Sequence, residues 1–349
     1  MNSLNESLQE QHNLDAAESL TASSSPTIDD SQVQEAYNKV QNIRREIGKA
    51  LIGQDEVVTH ILAALLAAGH VLVEGVPGLG KTLMVNALGK TFGGIFNRIQ
   101  FTPDLMPTDV MGHAMYNMKD QEFIIRKGPV FANLLLADEI NRAPAKTQAA
   151  LLEVMQELQV TIEGEPHKVE PPFMVLATQN PLEQEGTYPL PEAQLDRFLL
   201  KVDITYPEEA LEVQMVEHIT TGRSVEGLHI EEVSQIISPE NILELQKITS
   251  SLLIDRQVVE YAVRIIRATR DFPGISIGAG PRGAISLIRV AKAAALLAGR
   301  SFVTPDDIKS MAIPCLTHRI CLTPELEIEG KTKKQVLENL LDKIEAPRS

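Results

Sequence analysis

Eight consecutive residues, Gly75-Val76-Pro77-Gly78-Leu79-Gly80-Lys81-Thr82, spell G-x-x-x-x-G-K-T, a spacing suited to cradling phosphate groups with backbone amides. Gly75, Gly78 and Gly80 let main-chain N–H groups close around anionic oxygens, and a helix starting near Lys81 would point its positive end at them. Lys81 would bridge the β- and γ-phosphates of a triphosphate, and the Thr82 hydroxyl would lie on Mg²⁺. The stretch therefore predicts ATP and Mg²⁺ as cofactors, with Gly75, Val76, Pro77, Gly78, Leu79, Gly80, Lys81, Thr82 and Leu83 as the binding set. The plainer alternative is a Gly-rich turn.

A second element is "LLLADE", Leu134 to Glu139, an apolar strand ending in two consecutive carboxylates. Neighbouring acids repel one another, and a metal and a water would give them separate tasks. Asp138 would hold Mg²⁺ through its water shell, and Glu139 would orient and deprotonate the attacking water. A solvated strand end is the alternative. The third is "LATQNPLEQEGTYPLPEAQLDRF", Leu176 to Phe198. Asn180 is placed to orient the attacking water, although Asn before Pro also forms turns. Arg197 either pairs with Asp196 or Asp203 or reaches a neighbouring subunit's γ-phosphate as an arginine finger. Arg282 follows Pro281 at an expected helix start, where the helix dipole opposes a cation by about 0.3–1 kcal/mol unless an anion is near. That misfit favours phosphate sensing over a solvated or salt-bridged surface arginine.

Positioning these groups falls to short β-type runs recurring between helical stretches: "HVLVE", "NRIQF", "NLLLA", "FMVLAT" and "LLKVDI". Strands alternating with helices predict an α/β fold, a parallel sheet covered on both faces. Beyond Pro207 the strand signals fade, and Leu252–Arg270 and Arg282–Ala298 read as helices separated by the turn-forming "FPGISIGAGP". Three parts are expected: a disordered acidic leader over 1–32, a nucleotide-binding core over 33–206 and a helical lid over 207–349. Ile43, Ile47 and Leu51 fall four apart, one face of a helix running from Gln34 to Leu51.

Composition sets the outer bounds. Net charge is -15. Seven acids precede the first basic residue, Lys39, and without them 40 acidic residues face 32 basic ones, a charge of -8. Either value opposes the basic footprint of a nucleic-acid binder. The longest apolar stretch, Ile61 to Val73, is shorter than the ~20 residues of a spanning helix, so no transmembrane segment is expected. With two cysteines and no secretory signal, a reducing cytoplasm fits.

Taken in order, "LIGQDEVV", "GVPGLGKT", "LLLADEINRAPAKTQAALLEVMQE", "ATQNP", "LPEAQLDRF" and "GPRGAISL" resemble the MoxR branch of the AAA+ ATPases from about Val33 to the C-terminus, and "HRICL" at His318–Leu322 resembles that family's lid. The resemblance implies a P-loop NTPase core with a five-stranded parallel sheet, a C-terminal all-α lid, and a working ring, usually of six subunits. It places Ile52, Gly53 and Gln54 at the adenine, makes Asn180 sensor 1, Arg197 the arginine finger and Arg282 sensor 2, and offers Arg142 as a second inter-subunit arginine or, with Asn141, a helix cap. It also implies an insertion in the second helix and a hairpin before sensor 1, which "GHAMYNMKDQEFIIRKGPV" and "QVTIEGEPHKVEPP" suit. "GAGPR" replaces the "GASPR" of many relatives. The function implied is ATP hydrolysis driving the remodelling or maturation of protein partners, often proteins with von Willebrand A domains. A magnesium-chelatase-like motor subunit and a nucleotide-gated scaffold are the alternatives.

Overall fold

Residues 29–51, 53–75, 80–181, 186–221 and 232–347 are described in this computed structural model. Among the described residues nine strands precede the lid: β1 Val71–Gly75, β2 Phe96–Gln100, β3 Gly112–Asn117, β4 Glu122–Lys127, β5 Leu134–Asp138, β6 Gln159–Ile162, β7 Glu165–Lys168, β8 Met174–Gln179 and β9 Leu200–Ile204. The five predicted runs assemble into one parallel sheet in the order β2-β5-β8-β1-β9.

Alternation along each strand feeds two cores. Val71, Val73, Leu134, Leu136, Met174 and Leu176 face helices Asp55–Leu66 and Lys81–Phe92 together with the lid. Leu72, Leu135, Ala137, Val175 and Ala177 point the other way, among Leu151, Leu152 and Met155 of helix Ala145–Glu157. Strands buried on both faces read as unbroken apolar runs, which is why β5 was legible as "LLLA".

Two antiparallel hairpins leave the sheet, β3–β4 and β6–β7, at the two segments the resemblance assigned to the insertion and the hairpin. The second turns on Glu163 and Gly164, both at positive φ. Pro166 lies within β7, where a two-stranded ribbon tolerates a residue with no amide hydrogen.

The first described helix, Asp30–Gly48, starts four residues earlier than its apolar period suggests, because the Asp29 side chain accepts the Ser31 amide and caps it. Residues 1–28 lie outside the described residues. The lid packs helices Pro239–Ser251, Arg256–Asp271, Pro281–Leu297, Pro305–Leu316 and Lys333–Lys343; Ser238, Asp255 and Thr332 cap three of them with their side chains, and at a fourth the Asp307 carboxylate accepts the Thr304 amide. Two short strand pairs also occur there, Leu253–Ile254 with Phe302–Val303 and Ile275–Ile277 with Cys321–Leu322. Ile275–Ile277 falls within the stretch read as a turn.

Candidate nucleotide site

Register brings the chemistry to one edge of the sheet. Ala137 pairs with Ala177, so Asp138 comes level with Thr178, which pairs with Val73. Gln179 pairs with Glu74, which sets Asn180 level with Gly75, the first glycine of the phosphate motif. On the far side of β5, Gln100 pairs with Asp138.

At that edge helix Lys81–Phe92 begins after Gly80, whose φ of 76° belongs to the left-handed region that glycine enters freely. The Lys81 ammonium donates to Gly75 O at 2.6 Å. Burial pushes its pKa below the ordinary lysine value, against the opposing fields of Asp138, Glu139 and Glu74. Val76, Pro77, Gly78 and Leu79 lie outside the described residues.

Asp138 is 6% exposed. Its Oδ1 accepts the Thr178 hydroxyl at 3.1 Å, and its Oδ2 accepts Nε and Nη2 of Arg98 at 2.8 and 2.7 Å. Glu139 follows in a left-handed conformation, φ 54° and ψ 51°, which costs a non-glycine residue about 1 kcal/mol or more. The Thr178 oxygen holds it there by accepting the Glu139 amide at 2.9 Å. Its carboxylate accepts Gln100 Nε2 at 2.8 Å and Arg142 Nη1 at 3.0 Å. Asn180 is buried at the end of β8. Among the described residues no group of three or more His, Cys, Asp or Glu side chains could hold a metal. A protein that offers one buried carboxylate and one hydroxyl suits Mg²⁺, which keeps its waters and takes substrate phosphates as further ligands.

Gly53 and Gln54 line a cleft of about 630 Å³ together with Tyr206, Pro207, Leu211 and the lid residue Lys334; Ile52 lies outside the described residues. Tyr206–Leu211 follows directly after β9, next to Ile204, on which Gly75 packs so closely that a Cβ there would lie 2.9 Å from Ile204 O.

Arg197 and Arg282 are elsewhere. Leu200 pairs with Val71, at the start of β1, so Arg197 lies at the opposite edge, roughly 13 Å of strand away from the phosphate motif. It donates to Leu152 O at 2.6 Å and pairs with neither Asp196 nor Asp203. Asp196 instead binds Arg282 at 3.4 Å and Arg319 at 2.8 Å. The anion that Arg282 needs at its helix start is thus Asp196, in a pair exposed enough (57% for Arg282) to contribute under about 1 kcal/mol. Arg142 bonds Glu139 three residues back, closer than either role suggested for it.

Comparison with known proteins bears on the family and the fold. The family model described as "ATPase family associated with various cellular activities (AAA)" matches residues 70–200, and that of the AAA lid domain matches residues 267–340. A solved structure from Cytophaga hutchinsonii, described as a candidate ATPase, superposes with a TM-score of 0.83 at 42% identity, covering 91% of this chain and 98% of that one. Protein YeaC of Bacillus subtilis is 46% identical over 301 residues, 86% of this chain and 92% of YeaC. Chaperone MoxR1 of Mycobacterium tuberculosis is 42% identical over 312 residues, 87% of this chain and 81% of MoxR1. The chain belongs to the MoxR family of AAA+ ATPases.

For a MoxR ATPase, hydrolysis of ATP and a nucleotide-binding core follow from membership. Magnesium-chelatase subunits are more distant: ChlI of Synechocystis is 24% identical over 338 residues. Among the described residues no helix is long and apolar enough to cross a membrane. The candidate site also contains three groups to which the sequence reading gave no role, Arg98, Gln100 and Thr178. Arg98 and Gln100 alternate on the edge strand beside β5, and Thr178 precedes Asn180 by two on β8; only the strand order brings them to the acidic pair.

Proposed function

We propose that this ATPase works as a ring, six-membered by the family pattern, in which each chain supplies two unlike halves of two different sites. One half is the motif edge: Gly75 to Leu83 for phosphates, Thr82 and Asp138 for Mg²⁺, Glu139 as base, Asn180 orienting the water, and Gly53 and Gln54 at the adenine. The other half is the opposite edge, where Arg197 and Arg282 would meet the γ-phosphate of the next chain. The observation that carries this is their separation, since a strand's length lies between these arginines and Lys81 in the same chain. Hydrolysis around the ring would drive the remodelling of protein partners, with von Willebrand A domain proteins the first clients to test.

Mixing decides it. Lys81→Ala should fail to bind a fluorescent ATP analogue, and Arg197→Ala should bind it nearly normally while hydrolysing ATP about 10³-fold or more slowly. Mixtures of the two that co-assemble should recover part of the ATPase activity. No recovery in co-assembled mixtures would place Arg197 in a structural role within its own chain.

A further inference from the structure

Arg98 sits on the edge strand β2 with its side chain 49% exposed, and Asp138 is its one partner among the described residues. Both nitrogens converge on the same carboxylate oxygen. Structural arginines of this chain are held differently: Arg319, 3% exposed, is bound to groups from several elements, and Arg300 grips both oxygens of Asp307 at 2.5 and 2.7 Å. Arg98 has no second anchor, and the solvent on one side gives its guanidinium room to swing away.

Asp138 cannot do without a cation. A carboxylate so far removed from water costs several kcal/mol unless it is paired and hydrogen-bonded, and Thr178 satisfies one oxygen only. The other oxygen has the guanidinium. That oxygen belongs to the carboxylate assigned above to the Mg²⁺ water shell, so the two cations compete for one acceptor. We propose that Arg98 is the stand-in for magnesium: it neutralises Asp138 when the metal is absent and withdraws when the metal enters, and so sets the Mg²⁺ concentration at which nucleotide is held. This rests on the nucleotide-site assignment made above.

The competition has a direction. A half-exposed ion pair is a modest competitor, so removing it should lower the Mg²⁺ needed for half-maximal binding by about three- to tenfold. The probe is a fluorescent ADP analogue titrated with Mg²⁺ on full-length protein, comparing the parent with Arg98→Gln and Arg98→Ala. Binding measured in chelator, without metal, should not tighten, because the uncompensated carboxylate then faces the phosphates. Arg98→Lys, which keeps the charge and loses the fork, should fall between parent and Arg98→Gln and serves if the neutral variants do not fold. An unchanged or raised Mg²⁺ midpoint would overturn the proposal. So would a loss of affinity for the triphosphate analogue alone, which would make Arg98 a γ-phosphate ligand. Lys81→Ala run alongside separates the two levels: if it binds nucleotide like the parent, the site assignment fails whatever Arg98 does.

Discussion

The Thr178 hydroxyl donates to Asp138 Oδ1 at 3.1 Å while accepting the amide of the next residue, Glu139, at 2.9 Å. One side chain on β8 therefore fixes the two acids that end β5. Thr178→Val keeps the shape and removes both bonds, leaving a buried carboxylate oxygen and an amide short of partners. Stability should fall by about 1–3 kcal/mol in denaturant titration, and kcat should fall with it because Glu139 loses what holds its left-handed backbone. Thr178→Ser should recover most of both.

Glu139→Gln should retain Mg-ATP and lose the group that deprotonates water. Turnover should drop by about 10²–10⁴-fold, the usual contribution of a positioned base, with ATP affinity near that of the parent. Hydrolysis at the parent rate would move the base elsewhere. The trapped protein is also the form to use as bait for partner proteins.

Burial lowers His70 to a pKa of about 4, with the bond to Met155 O opposing and the nearby Arg289 adding to the shift. Its Nδ1 accepts the Val175 amide at 3.0 Å and its Nε2 donates to Met155 O, so the native ring is neutral. The unfolded chain takes up a proton near 6.5 and the folded chain only near 4, so this contribution is whole above about pH 6.5 and is lost as pH falls toward 4. Each unit across that window should cost about 1.4 kcal/mol. Tm measured against pH should show the slope, and His70→Gln should flatten it.

Gln148, fully buried, donates to Ile140 O, Ala143 O and Tyr188 O at 3.2, 3.1 and 2.8 Å. It ties the turn after Glu139 to the segment ahead of Arg197. Gln148→Met fills a similar volume but strands these carbonyls, and should cost roughly 1–3 kcal/mol in denaturant titration. Amide exchange should rise first around Ile140–Ala143; unchanged protection there would show that the turn holds itself.

How much of this was legible in the chain divides along physical lines. Strands β1, β5 and β8 announced themselves because both faces are buried, so each opens on an apolar run, Val71–Val73, Leu134–Ala137 and Met174–Ala177, before the polar residues at its end. Lys81, Asp138, Glu139 and Asn180 were legible because they cluster within motifs at strand ends. Arg98 and Gln100 were not, since β2 is separated from β5 by over thirty residues in the chain and nothing local says that the two strands are neighbours. Nor was the partner of Arg282: the sequence demanded an anion at that helix start, but only the packing of the lid against the sheet supplies Asp196.

Arg319 binds Asp196, Leu199 O, Phe198 O, Ser286 and Cys315 from inside the junction between lid and sheet, and Asp196 is one peptide bond from Arg197. Lid orientation and the placement of Arg197 are consequently a single mechanical variable, a crank with its pin at Asp196. A rotation of the lid that keeps the Arg319–Asp196 pair intact carries Asp196 with it, and with Asp196 the backbone of Arg197 beside it.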